Sequence, residues 1–358
     1  MKIFALYLPQ FHEIPENNEW WGEGFTEWNN VRSATPLFKS HIQPKHPLNN
    51  NYYNLMDKNT VVWQTQLMKE YGISGMIYYH YYFNGRKLLE KPAENLLKWK
   101  DVDQPFFFCW ANHTWNRSWQ GTKEVLVEQV YGGEKEWREH FEYLLQFFRD
   151  DRYEKIDNCP VLMIYDSTFT CKNQMIDKFN EWCKEAGFKG IHVVEECFGI
   201  EKESIDDIRS KASKCTKHIY LTEPLVGRKL FVKSEPRLKD YFRRILNKLN
   251  QKGIIKYVIK YDGNAILSNL ISQHPHGKDI IPGLFFEWDN TPRHKNRGFI
   301  ITPVKKETVM HYLDSIKDSD YMIINAWNEW CEGMMLEPTQ EYGYRYLEWI
   351  REWKQCNE

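Results

Sequence analysis

Two carboxylic acids three residues apart, Glu329 and Glu332, stand near the end of this 358-residue chain. They lie in Asn325-Ala326-Trp327-Asn328-Glu329-Trp330-Cys331-Glu332-Gly333, directly after an apolar run. In a turn or a first helical turn, side chains at that spacing point the same way. Breaking a glycosidic bond needs such a pair. One acid protonates the leaving oxygen, and a second carboxylate answers the positive charge that develops on the sugar. The flanking Trp327 and Trp330 would desolvate one member and raise its pKa, splitting the pair into an acid and a base. Glu-x-x-Glu is also common on exposed helices, so the pair matters only if a strand delivers it to a site.

Other polar and aromatic residues cluster at the ends of apolar runs. Tyr7, Gln10, His12 and Trp28 follow the first run; Tyr79 and Tyr81 close the second, around His80. Trp110, Asn112, His113, Trp115 and Arg117 follow the third, Trp288, Asp289, Asn290 and Arg293 follow a later one, and Trp327 and Asn328 precede the glutamates. Phe, Trp and Tyr make up 16% of the chain, with 15 Trp. A flat apolar face with a polar edge suits a sugar ring, although most of these rings are expected to fill a core. These residues are the expected carbohydrate contacts.

The elements that must position them alternate. Strand-like runs are expected at 3–8, 75–81, 106–112, 161–166, 192–197, 218–222, 284–288 and 322–327. Helical periodicity separates most of them, for instance at 61–71, 136–148 and 174–186. Eight nearly continuous apolar strands alternating with helices predict an α/β fold, a single (β/α)₈ barrel over 1–358 with long βα loops. No glycine-rich phosphate fingerprint follows the first strand, which weighs against an open doubly wound sheet. In a barrel, reacting groups sit at the C-terminal strand ends, where every candidate above falls.

Bulk composition narrows the function. With 48 basic and 49 acidic side chains, the chain has no charge excess suited to nucleic acid. No run approaches the ~20 apolar residues of a membrane span, and no signal peptide opens the chain, so a cytoplasmic, reduced protein is expected. The eight Cys form no C-x-x-C pair, and no H-E-x-x-H appears. No metal or cofactor is called for. Asp101-Val102-Asp103 and Asp318-Ser319-Asp320 resemble the metal-holding triplets of nucleotide-sugar transferases, but both precede strands and belong on the opposite face. His274-Pro275-His276 reads as an exposed loop. The stretch 223–260 carries eleven Lys/Arg against three acidic residues. It could face water, or meet an acidic glycan, a lipid-linked phosphate or an anionic membrane surface.

The terminal segment, with Leu336-Glu337-Pro338, resembles the catalytic segment of the family 99 glycoside hydrolases. The whole chain more closely resembles the family 99-like proteins of bacterial O-antigen and capsule biosynthesis clusters. Tyr7-Leu8-Pro9-Gln10-Phe11-His12, Trp20-Trp21-Gly22, Gly24-Phe25-Thr26-Glu27-Trp28, Trp110-Ala111-Asn112 and Trp288-Asp289-Asn290-Thr291-Pro292-Arg293 also carry the likeness. The resemblance implies a retaining, endo-acting enzyme on α-linked mannose-type chains. The residue matching Glu329 assists attack by the sugar's own 2-hydroxyl, giving a 1,2-anhydro sugar. The residue matching Glu332 protonates the leaving oxygen and later activates water. Two acidic positions of the third-strand motif are His113 and Gln120 here, which bears on the substrate. Transfer to an acceptor sugar, a glycosyltransferase of lipopolysaccharide or capsule assembly, and a non-catalytic glycan-binding barrel are the alternatives.

Overall fold

Eight parallel strands, each rich in β-branched or aromatic residues, form the centre of the computed structural model. They are β1 (Lys2–Tyr7), β2 (Gly75–Phe83), β3 (Phe106–Trp110), β4 (Cys159–Ile164), β5 (His192–Cys197), β6 (Thr216–Leu221), β7 and β8 (Tyr321–Ile324). β7 consists of two pieces, Ile280–Ile281 and Gly283–Leu284. The first pairs with β6 and the second with β8. Pro282, which has no N–H to give a ladder, separates them. The hydrogen-bonded path therefore returns on itself through one residue, and the sheet is a barrel. The structure describes residues 1–117, 122, 124–199, 204–252, 254–273 and 277–357. Gln120 and His274-Pro275-His276 lie outside them.

Helices alternate with the strands: α1 (Lys58–Glu70), α2 (Lys91–Lys98), α3 (Glu134–Phe148), α4 (Lys172–Glu185), α5 (Ile205–Lys211), α6 (Gly263–Gln273), α7 (Lys306–Ser315) and α8 (Arg345–Asn357). α3 shows why they form. Trp137, Phe141, Leu144, Leu145 and Phe148 recur at three- and four-residue steps and are buried. At its start the Glu136 carboxylate accepts from Gly133 N at 2.9 Å, closing the first turn. Gly75 begins β2 where a Cβ would meet Pro105 O at 2.9 Å, so only glycine lets these strands approach.

Two departures from the sequence expectation concern the seventh and eighth runs. Strand pairing in the seventh ends at Leu284 rather than 288. Trp288–Asp289 instead pairs antiparallel with Phe299–Ile301, in a small sheet that includes Ile259–Tyr261. The run 284–288 stays apolar because both settings are buried, and apolarity alone does not say which sheet a residue joins. The eighth ladder likewise stops at Ile324, which leaves 325–335 free to shape the rim. The long 223–279 excursion folds mainly into helices Leu225–Ser234 and Arg237–Gln251, followed by α6. Among the described residues, no helix is long and apolar enough to cross a membrane.

Candidate active site

All eight strand ends contribute to a cleft of about 430 Å³. Leu8 and Gln10 come after β1, Tyr79 and Tyr81 from β2, His113 and Trp115 after β3, and Tyr165 after β4. Glu196 comes from β5, Thr222 follows β6, Trp288 and Arg293 follow β7, and Asn325, Glu329 and Glu332 follow β8. Trp20, Trp21 and Phe198 add aromatic wall. This is the C-terminal rim of the barrel, where the fold places its chemistry.

Three carboxyls meet at one guanidinium there. Arg293 Nη1 donates to Glu332 Oε1 at 2.8 Å. Its Nη2 lies 3.1 Å from Glu27 Oε2 and 3.5 Å from Glu329 Oε2. Burial pushes Glu329 up to about 8 against the pull of Arg293, and Glu332 and Glu27 push it the same way. Burial also raises Glu332, again opposed by Arg293. The Glu332 side chain is 23% exposed and that of Glu329 10%, so Glu332 is the more accessible of the two. One cation cannot balance three buried negative charges, so the cluster retains a proton near neutral pH.

The turn bearing the pair is clamped from behind. Glu337 accepts from Trp327 Nε1 at 3.0 Å, Trp330 Nε1 at 2.7 Å, Gln64 Nε2 at 2.7 Å and the Tyr53 hydroxyl at 2.8 Å. Gln64 in turn accepts from the Tyr7 hydroxyl at 2.7 Å. Asn328 ties the turn to the end of β1, accepting from Leu8 N at 2.7 Å and donating to Leu8 O at 3.1 Å. Gly333 follows at φ +65°, where a Cβ would lie 2.9 Å from Asp289 N.

A family model described as Glycosyltransferase WbsX matches residues 3–350. The chain belongs to the WbsX family. Two proteins named WxcX, described as uncharacterized, from strains of Xanthomonas campestris pv. campestris are each 30% identical over 363 residues. The match covers 98% of this chain and 49% of theirs, so the chain spans about half the length of these relatives. Among solved structures, the GH99 endo-alpha-mannosidase from Bacteroides thetaiotaomicron aligns with a TM-score of 0.56 at 13% identity, covering 99% of this chain and 98% of that one. A structure described as a glycoside hydrolase-like protein aligns at 0.59 and 11% identity, covering 98% and 93%. The barrel and the family resemblance read from the sequence both agree with these findings.

In this WbsX-family chain the expected site residues divide into two groups. Gln10, Tyr79, Tyr81, His113, Trp115, Trp288, Arg293, Glu329 and Glu332 line the cleft. Tyr7, His12, Trp28, Trp110, Asn112, Arg117, Asp289, Asn290, Trp327 and Asn328 do not. Most of the second group spend their polar atoms on the scaffold. Trp28 Nε1 donates to Tyr53 O at 2.7 Å and Trp110 Nε1 to Tyr82 O at 3.2 Å. Asn112 exchanges two hydrogen bonds with the Asp166 backbone. Arg117 holds Trp20 O at 2.8 Å and Glu124 at 2.9 Å. Asp289 accepts from His41 and Gln43, each at 2.7 Å, and Asn290 accepts from Phe299 N at 2.9 Å. His12 is buried away from the cleft, and His80 pairs with His140 at 2.9 Å. His113 packs beside Tyr165 at 4.8 Å between ring centres. Burial lowers its pKa, which keeps the ring neutral at pH 7.

Two acids belong to the site that the sequence reading did not single out. Glu27, 0% exposed beside Arg293, sits between Phe25 and Trp28, an apolar setting that marks an acid needing a partner. Glu196 is the other. Strand alternation puts the adjacent Glu195 and Glu196 on opposite faces. Glu195 accepts from Lys172 at 2.7 Å on the helix side, and Glu196 lines the cleft, accepting from the Thr222 hydroxyl at 2.8 Å. Burial pushes Glu196 up to about 8. Asp101 and Asp103 pair with Lys58 and Lys69 just before β3, and Asp320 O accepts from Lys2 N at the start of β1. Both triplets thus occupy the opposite end of the barrel from the cleft.

Proposed function

We propose that this chain breaks an α-linked, mannose-type glycosidic bond in an oligosaccharide or polysaccharide, with retention, using Glu329 and Glu332. The observation that carries the reading is the convergence of both carboxyls on Arg293 at an aromatic-lined rim. Such a pair holds one proton between its members, which is what a reaction needing one acid and one base requires.

Burial favours that proton on Glu329, and the closer Arg293 contact favours charge on Glu332. A sugar 2-hydroxyl donating to Glu329 reverses the preference. It supplies the hydrogen bond that the 3.5 Å contact to Arg293 gives only weakly, and the proton moves to Glu332. Glu332 then protonates the leaving oxygen as the C1–O bond breaks. Glu329 takes the 2-hydroxyl proton as O2 closes on C1, forming the 1,2-anhydro sugar. Water opens that ring with Glu332 as base, and Glu329 returns its proton to O2. Neutral His113, in place of an acid, suits a glycan subsite that hydrogen-bonds a hydroxyl rather than a cation.

The family's description favours a second reading, in which an acceptor sugar replaces water at the last step. Product analysis with α-mannan oligosaccharides, with and without added acceptor, separates hydrolysis from transfer. Nucleotide release from a sugar donor, abolished by chelator, would assign a nucleotide-sugar transferase instead. Glu332→Gln is expected to lose most turnover on oligosaccharides yet still release the aryl group of an aryl glycoside in a first-turnover burst, since that leaving group needs no proton and only the water step then lacks its base. Glu329→Gln should stay low on both. Rescue of Glu329→Gln alone would exchange the two roles, and a Glu332→Gln chain still active on oligosaccharides would overturn the acid assignment.

A further inference from the structure

The helix Arg237–Gln251 is built inside out for a soluble surface. At 100° per residue, Leu238, Tyr241, Phe242, Ile245, Leu246 and Leu249 share one arc of about 140°. In a helix packed on a barrel that arc would face inward. Here Leu238 is 64% exposed, Tyr241 60% and Phe242 55%, while Ile245, Leu246 and Leu249 further along the arc are half-buried. Of the described side chains of this helix only Asn250 is buried. Basic residues border the arc on both sides: Arg237, Arg244 and Lys248 along one edge, Lys239 along the other, all exposed. The apolar surface continues past the helix end. Ile254 is 64% exposed and Tyr257 41%, and both are tied back by Ile254 N to Leu249 O at 3.0 Å and Tyr257 N to Asn250 Oδ1 at 3.3 Å.

We infer that this face docks the chain on an anionic lipid surface. An outward apolar arc bordered by cations lets rings and aliphatic groups enter the headgroup boundary while Lys and Arg meet lipid phosphates. The charge agrees: 223–260 carries eleven Lys/Arg against three acidic residues, although the whole chain is at −1. Tyr and Phe are suited to that boundary, where one end of a ring is dry and the other wet. The preceding helix begins at Leu225, which lines the cleft, so the docking face stands one helix away from the carboxylates.

Cosedimentation of the purified chain with vesicles tests this. Binding is expected to phosphatidylcholine vesicles containing phosphatidylglycerol, about tenfold or more weaker to phosphatidylcholine alone, and reduced by salt. Leu238→Ser with Phe242→Ser, and separately Arg237→Glu with Lys248→Glu, should each weaken binding by about tenfold with the melting midpoint unchanged. Equal binding to both vesicle types, or none to either, overturns the inference. So does concentration-dependent self-association abolished by Leu238→Ser with Phe242→Ser, which would assign the face to a second copy of the chain.

Discussion

At the carboxylates the ratio is three acids to one guanidinium, and a pH profile follows from it. On the proposed mechanism, activity needs one proton on the Glu329/Glu332 pair. It should fall at alkaline pH as that proton leaves, with a limb near the value of about 8 to which burial pushes Glu329, and at acid pH as a second proton arrives. Arg293 lowers both acids, so Arg293→Met should raise both. The profile of kcat/KM should move to higher pH, with activity at pH 7 lost and partly regained toward pH 9; an unmoved profile would remove Arg293 as the charge that sets it. The proposed acid pair and Arg293 were legible because each is a charge near aromatic residues at a strand end. The ten expected contacts that do not line the cleft were not separable from them. A buried Asn or Trp looks the same in sequence whether its polar atom meets a sugar or a backbone carbonyl.

The turn between β8 and α8 shows how a segment with almost no regular structure is held. Four neutral donors converge on Glu337 from α1, from the β1–α1 loop and from the turn itself. Glu337→Gln keeps the shape but turns one acceptor oxygen into an N–H donor, setting it against either Tyr53 and Trp330 or Gln64 and Trp327. We expect a loss of about 2 kcal/mol or more in denaturant unfolding, together with a fall in kcat, because Trp330 and Glu332 share this turn. Wild-type kcat with lowered stability would show that the clamp serves the fold alone. Nothing in the local pattern marks Glu337 as the anchor. Its partners lie up to 284 residues away, and such separations leave no periodicity to read.

Over the whole molecule, buried acids and buried histidines set opposite slopes of stability with pH. Burial holds Glu196, Glu223 and Glu329 up at about 8 and Glu337 at about 7. In the unfolded chain each titrates near ~4.3, so the folded chain binds more protons between those values and loses stability as pH rises through them. Burial pushes His80 down to about 3 and His192 to about 4, and lowers His140 as well. These charge only on unfolding, so they cost stability as pH falls below ~6.5. Above pH ~6.5 the histidines no longer titrate and the acids act alone, so the thermal midpoint should decline from there toward pH 8. Glu223→Gln retains an acceptor for Gly227 N, now met at 2.8 Å, and should flatten that decline; an unchanged slope would exclude Glu223 as a source. The barrel itself was legible, since eight apolar runs alternate with helical periods. The seam in β7 was not, because the seventh run was read from Leu284 onward and the two-residue piece Ile280–Ile281, cut off by Pro282, is too short to show a period of its own.

That seam has a mechanical consequence. Each half of β7 holds its neighbour over two residue pairs, while β2 and β3 are matched over five. The ring is thus closed by its shortest ladders, next to the strand end that leads to Arg293. Loss of either ladder would free one side of β7, and the β7–β8 ladder is the one that separates the segment carrying the guanidinium from the segment carrying the two glutamates.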